Sequence, residues 1–250
     1  MSPGQALGIA AAGAAAGAVN TVVGSGSLIT FPTLLAFGYA PVTANVSNNV
    51  GLVFGSVSGA IGYRRELKGQ RERIRRLGVG SVLGGVLGAV LLIVLPAKTF
   101  EVIVPVFVAL AVVGVLVQPR LSDWIGHRRG EPSVHGGAPA VLAAGVAGVY
   151  GGYFGAAQGI MLLAVLGLLL DETLQRLNGL KNVLTGLVNG CAAVVFIVAA
   201  HVDWGAAALI AGGSLLGGQI GARYGRRLPP AALRGLVAVV GVAAIVQLLT

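Results

Sequence analysis

Long apolar stretches almost free of charge are the feature that most limits what this chain can fold into. About 20 consecutive apolar residues cross the hydrocarbon core of a bilayer as a helix. Of the 250 residues, 56% are hydrophobic and 10% are charged, whereas soluble domains average about 25% charged residues. The chain is therefore predicted to be an all-α integral membrane protein that crosses the bilayer many times. The apolar stretches are residues 5–23, 27–38, 42–63, 77–95, 99–118, 138–155, 159–170, 178–200, 204–222 and 231–249.

Two of these stretches, 27–38 and 159–170, are too short to cross a bilayer. Twelve residues make roughly 18 Å of helix. Each short stretch follows a glycine break, Gly24-Ser25-Gly26 in the first half and Gly155–Gly159 in the second. Short helices after such breaks are typical of re-entrant or broken segments. Two hairpins that return to their own side of the membrane are therefore predicted, over residues 5–38 and 138–170.

The two halves of the chain resemble each other at a constant offset of 133 residues. Asn45 falls on Asn178 and Asn49 on Asn182, and the run that begins Gly80-Ser81 matches the run that begins Gly213-Ser214. Two repeats are predicted, joined by a linker over 119–137. The first repeat is 1–118, with its hairpin and helices 42–63, 77–95 and 99–118. The second is 138–250, with its hairpin and helices 178–200, 204–222 and 231–249.

The basic residues indicate how each repeat is oriented. Positively charged loops stay in the cytoplasm, and loop 64–76 contains seven Lys or Arg. In the second half the basic loop is 223–234, whose first-half counterpart near Lys98 is almost uncharged. Corresponding loops then lie on opposite sides, so the repeats are predicted to be inverted, with the linker 119–137 in the cytoplasm and both termini outside. The net charge of +9 is thus interpreted as an orientation signal and not as a nucleic-acid-binding surface.

The two glycine breaks are the first candidate binding site. In a hairpin tip, helix ends meet within the membrane, and their free N–H groups carry partial positive charge that binds oxyanions. The alternative is that these glycines serve only the close packing of helices. The candidate residues are Gly24, Ser25, Gly26 and Ser27 in the first break and Gly155, Gln158 and Gly159 in the second.

Polar residues within two corresponding helices form the second candidate site. They are Asn45, Asn48 and Asn49 in the first half and Asn178, Lys181, Asn182 and Thr185 in the second. Lys181 is predicted roughly 13 Å along its helix, where an ammonium is costly unless it meets an anion or other partners. Two alternatives stay open. Lys181 could extend its charge into water at the inner interface, and the asparagines could be hydrogen-bonding links between helices.

Titratable acids are absent from the interior of the predicted spans, and this bears on function. All eight carboxylates and all three histidines fall in loops or near span ends, whereas proton-coupled transporters often keep such a group at mid-membrane. No catalytic arrangement can be assembled, and the single cysteine, Cys191, excludes a multi-cysteine metal site. The sequence predicts no enzyme, no cofactor and no metal site. Neutral polar groups and one lysine favour a small anion as the ligand.

Four short motifs around the breaks and in the helices after them resemble those of a known family. They are Gly24-Ser25-Gly26-Ser27-Leu28-Ile29-x-x-Pro32, Ala44-Asn45-x-x-x-Asn49, Gly151-Gly152-x-Phe154-Gly155-x-x-x-Gly159 and Leu177-Asn178-x-x-Lys181-Asn182. The family is the sulfite exporter TauE/SafE family, also called the 4-toluene sulfonate uptake permease superfamily. It often has a double glycine where this chain has Gly26-Ser27. The resemblance implies a bacterial inner-membrane transporter of sulfur-containing anions such as sulfite or sulfonates.

The functional hypothesis is alternating access around a midplane anion site between the two hairpin tips. The expected partners are a small anion, which could carry a proton as bisulfite does, and membrane lipids, with no nucleic acid. A homodimer is left open beside a monomer. The alternative functions are a passive anion channel and a transporter of a small anion without sulfur.

Overall fold

The computed structural model of the chain is helical and contains no strand in the part that it describes. That part comprises residues 1–127 and 137–224, with the separate positions 235, 239, 240, 242, 245 and 246. Its helices are α1 (Pro3–Val22), α2 (Ser27–Ala36), α3 (Pro41–Gly62), α4 (Arg71–Val94), α5 (Ala97–His127), α6 (Gly137–Tyr153), α7 (Gln158–Leu169), α8 (Leu174–Ala199) and α9 (Trp204–Tyr224). Five of these, α1, α4, α5, α8 and α9, are long and apolar enough to cross a membrane. The chain is an all-α, multi-pass membrane protein.

Most of the predicted last helix, 231–249, lies outside the described residues, as do the linker after residue 127 and Arg226, Arg227 and Arg234. The two short stretches predicted after the glycine breaks correspond to α2, of 10 residues, and α7, of 12 residues. Each follows an interruption of the helix, so the paired helices α1–α2 and α6–α7 occupy the positions of the predicted hairpins.

Several helices extend beyond the predicted apolar stretches. The stretch 77–95 belongs to α4, which already begins at Arg71, and the stretch 99–118 belongs to α5, which continues to His127 and so includes the first half of the predicted linker. The stretch 178–200 belongs to α8, which begins at Leu174 after the cap residue Thr173. Apolarity marks only the part of a helix inside the bilayer, while good helix formers such as Arg and Glu continue the helix into water.

Local sequence sets the helix boundaries near the N-terminus. The hydroxyl of Ser2 accepts a hydrogen bond from the backbone N–H of Gln5, whose side chain in turn accepts from the backbone N–H of Ser2. Pro41 stands in the first turn of α3, where its missing N–H costs nothing. Gly38 has a φ of +86° between α2 and α3, a conformation that glycine adopts without steric strain.

The closest helix packing joins helices from different halves of the chain. α1 packs against α9, and α4 packs against α6. Glycine makes both contacts possible: a Cβ on Gly17 would lie 2.7 Å from the Cα of Ser214, and one on Gly80 would lie 2.5 Å from the carbonyl oxygen of Val141. Small residues allow such backbone approach in membranes. At the offset of 133 residues α1 corresponds to α6 and α4 to α9, so the two pairings are equivalent.

α3 and α8, which also correspond at this offset, cross each other in opposite directions. Asn49, in the first half of α3, contacts Asn189 in the second half of α8. Gly59, near the end of α3, lies beside Asn182, near the start of α8. Two equivalent helices therefore run antiparallel where they cross.

Aromatic side chains hold the second hairpin against α2 and α5. The ring of Phe154, the residue that follows α6, packs edge-on against Phe31 of α2 at a centroid distance of 5.2 Å. Phe100 and Phe107 of α5 stand 5.9 Å and 6.0 Å from the same ring. Such edge and tilted contacts contribute beyond the area that they bury, so the turn after Phe154 has a fixed position.

Candidate functional site

The tips of the two hairpins touch each other in the interior of the helix bundle. The backbone N–H of Gly159 donates a hydrogen bond of 3.1 Å to the carbonyl oxygen of Gly24. A Cβ on Gly24 would lie 2.6 Å from the Cα of Gly159, and one on Gly159 would lie 2.5 Å from the Cα of Gly24. The predicted breaks are thus brought together, and glycine is required on both sides of the contact.

Backbone conformations with positive φ form both turns. Gly24 has a φ of +90°, Gly155 of +79° and Ala157 of +61°. Ala157 is the one non-glycine residue with positive φ among the described residues, and Tyr150 supports its turn by donating a hydrogen bond of 2.6 Å to the carbonyl oxygen of Ala156. Such strain is costly and persists where the surrounding structure fixes it.

The helices that begin at the two tips, α2 and α7, have no side-chain cap. Gly26 stands at the cap position of α2 and Ala157 at that of α7, and neither cap residue offers a side-chain acceptor to its helix. The N–H of Gly26 is held by the side-chain oxygen of Asn20 at 3.4 Å. The N–H groups of Leu28, Gln158 and Ile160 in these first turns already donate to backbone carbonyl oxygens, so the two helix starts offer an anion the positive end of the helix dipole and not a row of free N–H groups. Ser27 is the first residue of α2 and is half-buried.

Lys181 lies at the first tip, and not at the membrane surface. Its side chain is 1% exposed, and its ammonium donates to the carbonyl oxygens of Asn20 at 2.8 Å and Thr21 at 3.1 Å. These carbonyls belong to the last turn of α1, where the helix dipole is negative. An ammonium has three N–H donors, so two of them neutralise the end of α1 and one remains. Its Cδ stands 3.0 Å from the position of a Cβ on Gly159, which places Lys181 beside the second tip as well.

Two of the predicted asparagines link the long helices to the hairpins. Asn182 donates to the carbonyl oxygen of Thr21 at 3.2 Å, and Asn45 donates to the carbonyl oxygen of Tyr153 at 3.0 Å. The first contact joins α8 to the end of α1, and the second joins α3 to the end of α6. These are the hydrogen-bonding links between helices that the alternative interpretation expects. Asn48 has a similar position, since its side-chain oxygen accepts a hydrogen bond from the hydroxyl of Thr30 on α2.

Residues that the sequence analysis did not select complete this region. Where α3 crosses α8, the amide of Asn189 donates to the hydroxyl of Ser56 at 3.4 Å, and Asn20 donates to the same hydroxyl at 3.4 Å. Ser56 and Asn189 are related by the 133-residue offset, as are Asn20 and Tyr153. Applying the offset to every polar residue inside the stretches would have identified all four.

Several buried polar atoms near the tips have no hydrogen-bond partner within the described residues. Bilayer interiors provide no water to such groups, so each one costs free energy unless a ligand or a bound water satisfies it. Such atoms occur on eight residues. Five of these belong to the candidate site, namely Ser25, Asn49, Gln158, Asn178 and Thr185, and the other three are Tyr153, Gln70 and Ser81. The hydroxyl hydrogens of Ser25 and Thr185 and the amide hydrogens of Gln158 can all donate, whereas the unpartnered atoms of Asn49 and Asn178 and the second one of Gln158 are oxygens that accept.

The charge around the site is positive or neutral. Lys181 supplies the one charged side chain found there, and the described carboxylates lie in loops or at helix ends: Glu66, Glu72, Glu101, Asp171, Glu172 and Asp203. Within the described residues no group of three or more His, Cys, Asp or Glu side chains could hold a metal ion. Hydrogen-bond donors beside a cation, with no acid nearby, suit an oxyanion better than a cation.

Comparison with known proteins adds the family. The chain is 28% identical over 212 residues to "Probable membrane transporter protein YfcA" of Escherichia coli (strain K12), which covers 83% of this chain and 76% of that protein. It is 26% identical over 234 residues to "Probable membrane transporter protein ORF9" of Sinorhizobium sp, covering 94% and 88%. No solved structure matches. The model of the family described as "Sulfite exporter TauE/SafE" matches residues 9–248, so this chain belongs to the TauE/SafE family of membrane transporters.

Proposed function

We propose that this membrane transporter carries a small sulfur-containing anion of the sulfite or sulfonate class through a site between the two hairpin tips. The observation that carries the proposal is the presence of buried, unpartnered polar atoms on Ser25 and Gln158, which adjoin the starts of α2 and α7, and on Thr185, one turn beyond Lys181 in α8. An oxyanion accepts several hydrogen bonds at once, so it would satisfy these donors together. The sulfur in the substrate rests on the family description.

The mechanism proposed is alternating access at a midplane site that lies between two inverted repeats, 1–118 and 138–250. It is supported by the equivalent pairings of α1 with α9 and α4 with α6 and by the antiparallel crossing of α3 and α8. In this arrangement the basic loops face the cytoplasm, both termini lie outside, and the membrane is the bacterial inner membrane. A proton that accompanies transport would travel on the substrate, as on bisulfite, because the described site has no carboxylate to carry it.

Matched serine variants test the site. Ser25 and Ser81 both have a buried hydroxyl without a partner, but Ser25 stands at the first tip, whereas Ser81 lies where α4 packs against α6. Hydrogen bonds to a charged ligand contribute about 1.5–3 kcal/mol. In proteoliposomes, Ser25→Ala should therefore reduce the kcat/KM of sulfite transport about tenfold or more, and Ser81→Ala should leave it near the wild-type value. Equal effects of the two changes would contradict the proposed position of the anion.

Lys181 makes structural hydrogen bonds and, in this proposal, also supplies the positive charge that attracts the anion. Lys181→Ala removes the positive charge beside the tips and also leaves the carbonyl oxygens of Asn20 and Thr21 without their donor. Loss of transport is expected, and transport that stays unchanged in Lys181→Ala would refute the role of the lysine. Lys181→Arg, which keeps the charge, should retain more activity than Lys181→Ala if the charge is what the anion requires.

A binding screen and a counterflow assay separate this proposal from its alternatives. Anions that bind the folded protein raise its melting temperature by mass action, so sulfite, sulfate, thiosulfate, sulfonates and carboxylates are compared in detergent. The largest shift with a carboxylate would favour a substrate without sulfur. A carrier exchanges labelled for unlabelled substrate across the membrane, whereas a passive channel shows flux without saturation and without counterflow.

A further inference from the structure

A basic cavity lies where α3 and α9 end on the same side of the bundle. Its volume is about 600 Å³, and Glu66 lines an adjoining cavity of about 230 Å³. The lining residues are Gly62, Arg64, Arg65, Gln219, Ala222 and Arg223. None of the three arginines forms an ion pair with any carboxylate of the described residues. Three guanidinium groups therefore line one space without an ion pair to any described carboxylate, and Glu66 stands at the edge of that space.

The cavity exists because small residues meet where α3 and α9 end. A Cβ on Gly62 would overlap the Cβ of Ala222, so the backbones approach closely and no larger side chain occupies the space beyond them. Gln219 is already committed, since its amide donates to the carbonyl oxygen of Ser58 at 2.9 Å and to its hydroxyl at 3.0 Å. Arg64 spends one N–H on the carbonyl oxygen of Ile61 at 3.4 Å. The remaining donors that line the cavity belong to the guanidinium groups, which match the geometry of phosphate oxygens.

The cavity is continuous with apolar surface on both helices. On α3, Phe54 and Ile61 are 50% and 53% exposed, and on α9, Leu216 and Ile220 are 65% and 51% exposed. In a membrane protein such surface faces the acyl chains. Arg223 follows Ile220 by three residues and therefore continues the same face of α9 towards water.

Arg64 and Arg65 follow directly on the end of α3, in the turn that begins at Tyr63. Tyr224 is exposed next to Arg223, whose guanidinium stands 5.5 Å from its ring centroid. Tyrosine is enriched at the level of the lipid headgroups. The arginines are thus placed where apolar surface gives way to the polar interface.

From this arrangement we propose that the cavity binds the phosphate headgroup of an anionic phospholipid, with the acyl chains on the exposed faces of α3 and α9. The unpaired arginines provide charge complementarity, and the adjoining apolar faces favour a lipid over a soluble phosphate. This site is separate from the hairpin tips, and it does not depend on which anion the protein transports.

The test measures stabilisation by lipid in matched variants. The purified full chain is titrated with short-chain phosphatidylglycerol or phosphatidylcholine in detergent at 0.15 M salt, where diffuse attraction is screened beyond about 8 Å, and the melting temperature is followed. The double variant Arg65→Gln/Arg223→Gln is compared with Arg71→Gln. Arg71 belongs to the same basic region and is exposed, but it does not line the cavity.

Phosphatidylglycerol should stabilise the wild type more than phosphatidylcholine does. The double variant should need about tenfold more phosphatidylglycerol for the same shift, because it loses charged hydrogen bonds, and Arg71→Gln should stay within about twofold. An equal loss in Arg71→Gln would show diffuse attraction by the basic region and would overturn the proposal. So would equal stabilisation by the two lipids, or by glycerol phosphate at the same concentration, which would indicate a soluble anion.

Discussion

Replacing Gly24 by alanine perturbs the contact between the hairpin tips and the backbone conformation of the first turn. The new Cβ would lie 2.6 Å from the Cα and 2.8 Å from the carbonyl carbon of Gly159. Both are backbone atoms, so no side chain can rotate away, and one tip must move. The residue also has a φ of +90°, which an L-residue with a side chain rarely adopts.

The expected loss of stability has two parts. A left-handed backbone conformation costs roughly 1–2 kcal/mol in a residue with a Cβ, and overpacking typically costs about 1–3 kcal/mol. Gly38 separates the two parts, because its φ is +86° but a Cβ there would meet nothing within 4 Å. Gly38→Ala should therefore show only the backbone cost. The difference between the two variants should be about 1–3 kcal/mol, and the lower entropy of the unfolded alanine chain cancels from it.

Melting temperatures in detergent measure this difference, since about 1 kcal/mol corresponds to roughly 2–4 °C in a chain of this size. Gly190→Ala serves as a further control. Gly190 lies in α8 without positive φ and with open space around its Cβ, so this change should not destabilise the protein. If Gly24→Ala melts at the same temperature as Gly38→Ala, the tips are not in contact and the proposed site loses its geometry.

Two further changes test contacts around the site. Burial raises the pKa of Glu172, but hydrogen bonds from Arg176 at 2.6 Å and from Arg73, with their charges, outweigh it and hold that pKa below its ordinary value. The ion pairs then stabilise the protein above the ordinary pKa of about 4.3, and this stabilisation is lost as the pH falls below that value. Glu172→Gln should therefore flatten the decline of the melting temperature in acid. An unchanged decline would contradict the pairing. Tyr150→Phe leaves the carbonyl oxygen of Ala156 without its donor and should destabilise the second tip by about 1 kcal/mol, and a melting temperature equal to that of the wild type would show that this hydrogen bond contributes nothing.

The fold could be predicted from the sequence where one physical signal dominated. Apolar stretches follow from the thickness of the bilayer, so the helices and the two short segments were visible without a structure. Helix ends were less accurate, because the helical part of α5 beyond residue 118 is polar and hydropathy does not detect it. The residues of the tips were predicted because each glycine break is followed by an apolar stretch too short to cross the bilayer.

The partners of the polar residues could not be predicted, since a sequence shows which side chains are polar but not which carbonyl they reach. The prediction placed Lys181 either near mid-membrane, against an anion or other partners, or at the interface. In the structure it meets the carbonyl oxygens of Asn20 and Thr21, groups that every residue carries and that become available only where a helix ends. The contact of Gly24 with Gly159 depends likewise on how the two halves assemble.

For the proposed alternating access, the packing of the helices limits which parts of the protein can move. The backbones of α1 and α9 and those of α4 and α6 touch through glycines, and such contacts have no side chains that could reorient. By contrast, α3 and α8 cross through polar side chains at 3.4–3.5 Å, which can exchange partners at small cost. We therefore expect the moving units to be the pairs α1–α9 and α4–α6, each drawn from both halves, and not one repeat against the other. Spin-label distances across α1–α9 should then stay constant when substrate is added while distances across α3–α8 change, and the reverse result would refute this division.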